Sequence, residues 1–171
     1  MTNLTPRVDP PTSADETTML TAWLDFHRST LALKCEGLTD DQLRTRSVPP
    51  SNLSLIGLVR HMAEVEQYWF QDILLGADVG VGHYWTEDNE DGDFDDVATA
   101  DVAHDLATWH AEVDAARRAI VGLPLDTVGK RQRREADVTL RWILVHMIEE
   151  YARHNGHADF LRELLDGRTG E

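Results

Sequence analysis

Residues 140–165 read LRWILVHMIEEYARHNGHADFLRELL. Steps of alternating four and three collect Ile143, Met147, Glu150, His154, His157, Leu161 and Leu164, the seam a helix buries in a bundle. Both ends of that seam are apolar, while its middle carries one carboxylate and two imidazoles. His146 lies one turn before Glu150, so a single arc shows His-x3-Glu-x3-His-x2-His. Such groups are costly to bury without partners. A metal ion is the obvious group to compensate them.

A helix of this kind needs neighbours, and the rest of the chain supplies three. The first runs from Ser13 or Asp15 to about Glu36, with Leu20, Trp23, Leu24, His27, Leu31 and Lys34 along its inner face. The second opens at Ser51 or Ser54 and ends at Gly76, with Leu55, Leu58, Met62, Val65, Trp69 and Ile73 as its stripe. The third covers about residues 100–121, with Val102, Leu106, Trp109, Val113, Ala116 and Ile120 inside. Thr139 caps the fourth and Gly167 stops it. Thr39-Asp40-Asp41-Gln42 has the spelling of a capping box and starts a short helical turn. The expected fold is all-α: a four-helix bundle with a long acidic loop between its second and third long helices. Its divisions are an arm over residues 1–14, the bundle over 15–167 and a tail over 168–171.

That loop, residues 77–99, is rich in acid and glycine, and connections of such length are commonly functional or disordered. Against the calcium-loop spelling D-x-[DN]-x-[DN]-G-x5-E, with Gly92 at the glycine, Asn89 and Asp91 fit. The opening Asp falls on Glu87 and the closing Glu on Ala98, so the segment reads as a solvated acidic loop. The basic run Lys130 to Arg134 reads as a solvated turn.

Charge and motifs remove several function classes. A net charge of −15 excludes nucleic acid and anionic lipid as main partners. No apolar run is long enough to span a membrane, and the N-terminus has no signal-peptide pattern. The lone Cys35 rules out an internal disulfide, fits a reducing cytoplasm and reads as structural. No nucleophile elbow, phosphate loop, dinucleotide fingerprint or Cys-x2-Cys pair occurs.

Glu150 and His154 are four apart and share one helix face, a spacing suited to two ligands of one ion. One helix cannot surround an ion, so a third ligand must come from a facing helix, where His61 is the best candidate. On the residues alone, a metal ion and a metal-free network of hydrogen-bonded side chains both account for the seam. His146 and His157 are expected to hold the ligands in place or to touch substrate. His27 faces inward and reads as a core histidine that could also border the site. His83, Tyr84 and Trp85 either line a pocket mouth or pack over the bundle.

The stretches LVRHMAEVEQYWF around His61, LRWILVHMIEEYARHNGHADFLRE in the fourth helix and the closing DGRTG resemble the DinB-like superfamily, within it the DUF664 branch. The resemblance covers most of the chain. It implies a four-helix bundle holding one divalent metal through His61, Glu150 and His154. Relatives often carry histidine where this chain has Glu150, and glutamine where it has His157. The mixed set suits zinc and also iron, nickel or manganese. Relatives with known activities include mycothiol- or bacillithiol-dependent S-transferases and a maleylpyruvate isomerase. The resemblance therefore implies a metal-dependent enzyme that activates a low-molecular-weight thiol for attack on a small electrophile. The alternative is a non-catalytic bundle that holds a metal or a small molecule. Tryptophan and phenylalanine spread around the second helix suggest a homodimer.

Overall fold

The computed structural model describes residues 7–170; the first six residues of the expected arm lie outside the described residues. It contains α1 (Glu16–Cys35), a short α2 (Asp40–Arg44), α3 (Leu55–Glu66), α4 (Gly92–Asp95), α5 (Val102–Ala119) and α6 (Leu140–Asp166). A π-helical stretch, Gln67–Leu74, prolongs α3, and a 3₁₀ turn, Asp96–Thr99, follows α4. Among the described residues there is no β-strand, only isolated bridges. α1, α3 with its extension, α5 and α6 make the all-α bundle. α1 packs chiefly on α6 and α3 chiefly on α5.

Side chains that satisfy orphan amides set the helix starts. Asp15 accepts from the Thr18 N–H, Ser54 from Gly57 and Thr139 from Trp142. Thr39 and Gln42 complete the capping box. Gly167 ends α6 with φ of 78°, a left-handed value that glycine adopts without penalty.

The second long helix differs from the regular α-helix expected to Gly76. Its buried residues after Glu66 come in pairs, Trp69 with Phe70 and Ile73 with Leu74. A four-residue recurrence drifts round a 3.6-residue helix, whereas the wider π turn keeps both pairs facing the core.

One polar network ties the four long helices together. Arg28 of α1 donates through Nε and an Nη to the two Glu66 oxygens of α3, both at 2.7 Å. Tyr151 of α6 donates to Glu66 at 2.8 Å, and the Trp109 indole of α5 donates to the Tyr151 oxygen at 2.9 Å. All four residues are buried. Burial opposes the Arg28 charge, but the Glu66 carboxylate outweighs it and holds the guanidinium protonated.

This network turns α6 relative to the expected seam. Ile143, Met147, His154 and Leu161 of that seam are buried as expected, but the buried face extends from them through Leu140, Leu144, Tyr151, Asn155 and Ala158. Leu164, expected inside, is 62% exposed, and Trp23 of α1, also expected inside, is 41% exposed. With Tyr151 drawn to Glu66, the arc shifts round by about one position. Glu150 and His157 therefore stand half-buried at the rim of the core, not on its axis.

The acidic segment also departs from expectation. Residues 92–99 form α4 and the 3₁₀ turn, and Asp93 and Val97 are buried. It is therefore not a purely solvated loop. Two backbone amides, those of Tyr84 and Trp85, donate to one Glu64 oxygen at 2.6 and 2.8 Å. The Tyr84 hydroxyl donates to Asp105 at 3.0 Å. These bonds seat the segment on α3 and α5.

Candidate metal centre

His61, Glu150 and His154 come together across α3 and α6, each offering one ligand atom, all within 4.8 Å of one another. On α6 the four-residue spacing stacks Glu150 under His154, with Oε2 to Nε2 at 3.4 Å. A tetrahedral zinc with bonds of about 2.1 Å holds its ligands roughly 3.4 Å apart. On α3 the His61 ring meets the His154 ring at 4.7 Å between centroids and stacks on Phe94 at 5.1 Å. Its Nδ1 stands 2.9 Å from Asp93 Oδ2.

The donor set fits a divalent ion on two counts. The first is Glu150, whose side chain is 15% exposed. Its nearest described cationic or ring partners stand at 3.4 Å (His154), 3.5 Å (His146) and 4.0 Å (Arg153), all long for hydrogen bonds. A half-buried carboxylate so loosely held has room for a cation. The second is His154, which burial, with His61, His157 and Arg153 adding to it, pushes down to about 3. Its imidazole is thus neutral at ordinary pH, the form that ligates.

The same depression fixes a pH dependence. The folded value lies below the ordinary histidine value of about 6.5, so the unfolded chain takes the proton first. The contribution to stability is full above about pH 6.5 and is lost as pH falls toward 3. His27, His110 and His146, each lowered first by burial, act in the same direction. His83, raised by its bond to Glu112, acts in the opposite one. In thermal denaturation of metal-free protein, the midpoint is expected to drop between pH 6.5 and 4. His154→Gln should flatten that drop without abolishing it. An unchanged slope would contradict the assignment.

The remaining predicted residues fall into place around this group. His157 Nδ1 lies 3.4 Å from His154 Nδ1. His146 stands on the far side of Glu150, stacked on Trp142 at 4.9 Å and edge-on to Trp69 at 4.8 Å. The Arg133 guanidinium covers both tryptophans, so the basic run is not wholly solvated. His146, Glu149 and Glu150 form a second group with converging ligand atoms. Glu149 is exposed and paired with Arg153, which makes this group the weaker cation site. His27 sits with Trp23, Phe26 and Asn155. Its described contacts do not reach His61, Glu150 or His154.

A cavity of about 550 Å³ opens beside His61, between α3 and the 77–94 segment. That volume suits a small molecule. Tyr68, Trp85 and Phe94 give it apolar walls, and Glu64 and Asp93 line it with carboxylates. Glu150 and His154 are not among its lining residues, so it reaches the group from the His61 side. His83 lies outside the lining, bonded to Glu112 at 2.8 Å, whereas Trp85 takes the pocket-mouth role. Sequence reasoning missed Asp93, one acid among seven between Glu87 and Asp96. The one signal available was its place next to Gly92 and Phe94, which mark a turn and an inward-facing ring.

Among known families, the model described as mycothiol-S-transferase matches residues 19–167. No curated protein matches the chain.

Proposed function

The chain belongs to the mycothiol-S-transferase family, and on that premise we propose that it is a metal-dependent transferase joining a mycothiol-type thiol to a small electrophile. The observation that carries this reading is the convergence of His61, Glu150 and His154 at the rim of the bundle, next to a ligand-sized cavity. Two imidazoles and one carboxylate suit zinc, with iron, nickel and manganese as the other ions such a set accepts. A divalent ion held there supplies the positive charge that favours a bound thiolate over the thiol.

The protein's own residues account for the rest of the chemistry. Cys35, the single cysteine, is buried, and burial pushes its thiol up to about 12. The chain therefore carries no reactive thiol, and the nucleophile is an external one. His157 braces His154, and the aromatic walls of the cavity seat the apolar part of the electrophile beside His61. In the reaction a sulfur–carbon bond forms and the thiol loses its proton. The sulfur lone pair makes that bond; the electrophile either releases a leaving group with its bonding pair, the thiol proton passing to solvent, or its displaced π pair takes up a proton. The reading goes with a cytoplasmic location, where such thiols stay reduced. No described helix is long and apolar enough to cross a membrane.

The test is mass spectrometry of the zinc-loaded protein with mycothiol and a generic alkylating electrophile. The expected product is the thioether at a rate above the uncatalysed one, and His61→Ala should return that rate to background. Zinc-loaded protein that forms no conjugate with mycothiol or other small thiols would favour the non-catalytic metal-holding bundle.

A further inference from the structure

We propose that Asp93 is a positioning residue for His61, making the candidate metal site depend on the seating of the 77–101 segment. The inference rests on the metal reading above and adds a residue outside the ligand set. Asp93 Oδ2 lies 2.9 Å from His61 Nδ1. A carboxylate only accepts hydrogen bonds, so the proton of a neutral His61 belongs on Nδ1. That leaves the Nε2 lone pair free for an ion. The same bond fixes the ring plane, which Phe94 also supports by stacking at 5.1 Å. Carboxylate partners of this kind orient a ligating histidine and raise its basicity.

Asp93 is 5% exposed, and its other oxygen accepts from the Phe94 N–H at 3.0 Å. It therefore has no freedom to follow solvent. Its position is set from the other end of the segment. A Cβ at Gly92 would lie 2.3 Å from the Tyr84 carbonyl oxygen, so only glycine lets the chain pass there. The Tyr84 and Trp85 amides are in turn tied to Glu64, one turn of α3 beyond His61. A continuous set of contacts thus runs from Glu64 through Tyr84 and Gly92 to Asp93 and back to His61. Lifting the segment from α3 removes the carboxylate that holds the His61 tautomer.

The experiment measures zinc affinity by competition with a chromogenic chelator for wild type, Asp93→Asn, Gly92→Ala and the exposed-site control Asp88→Asn. Asp93→Asn and Gly92→Ala should bind zinc about 10- to 100-fold more weakly, with Asp88→Asn unchanged. Gly92→Ala keeps every ionisable group, so its loss reports position alone. Wild-type zinc affinity in Asp93→Asn, with or without a lower melting temperature of the metal-free protein, overturns the proposal in favour of a purely structural role. The second readout is the two-bond 15N–1H correlation of histidines in metal-free wild type, which needs neither variant. It should show His61 protonated at Nδ1, and Nε2 protonation overturns the proposal outright. If wild type binds no zinc although His61 carries its proton on Nδ1, the metal reading has failed and this inference falls with it.

Discussion

Glu150→Ala is expected to abolish zinc binding while leaving the bundle folded. Both halves follow from where the side chain stands. Its stability contribution is small because it lies at the rim, 15% exposed, with its nearest described cationic or ring partners at 3.4 to 4.0 Å. Its contribution to the site is large because it is the single carboxylate among the three converging residues. Without it an ion would meet only the His154 imidazole from α6 and the His61 imidazole from α3. The loss should exceed the roughly 100-fold that removal of a supporting residue produces. Metal analysis after dialysis, beside the far-ultraviolet circular dichroism of the same sample, checks both halves. Glu150→His is the informative partner, because it installs the histidine that DinB-like relatives often have at this position. It should retain stoichiometric zinc. Equal metal in wild type and Glu150→Ala would sink the ligand assignment.

The parts of this site that were legible from sequence are those with helical spacing. His146, Glu150, His154 and His157 recur on one arc of α6, and the apolar stripe of α3 places His61 at mid-helix, facing across the bundle. The helix starts were legible for the same local reason, since Asp15, Ser54 and Thr139 each act on amides within three residues. What escaped is tertiary. Asp93 is one acid in a run of acids, and its place between Gly92 and Phe94 is the single local hint that it turns inward. The rotation of α6 depends on Tyr151 meeting Glu66 from α3, a pairing 85 residues apart in sequence. The periodic seam holds at Ile143, Met147, His154 and Leu161, while Leu164 falls outside because the buried face is centred nearer Tyr151. The π-helical widening after Glu66 likewise answers to the core, which has to accept Trp69 and Phe70 side by side.

The largest stability change is expected at Glu66. Its carboxylate is fully buried and takes three short hydrogen bonds, two from Arg28 and one from Tyr151. Glu66→Ala leaves the Arg28 guanidinium charged and 4% exposed, its remaining partner being Asp25 at 2.9 Å near the surface. Breaking one side of a buried pair costs about 3–5 kcal/mol. For a chain of this length that is a fall of about 6–20 °C in melting temperature. Removing both charges is a different perturbation: Arg28→Met with Glu66→Leu fills the space with apolar groups and leaves no orphaned ion. The double variant should recover most of the lost stability, because pairs replaced by packed apolar side chains are often neutral. Thermal and urea unfolding of the single and double variants measure the difference. Similar losses in both would mean that packing, not the unpaired charge, dominates. The double variant also separates stability from register. Tyr151 lies within the turn between Glu150 and His154, so its bond to Glu66 sets which side of the helix those two residues present to α3. A double variant as stable as wild type, yet weaker in zinc affinity, would show that the buried polar network matters chiefly for aiming α6 at His61.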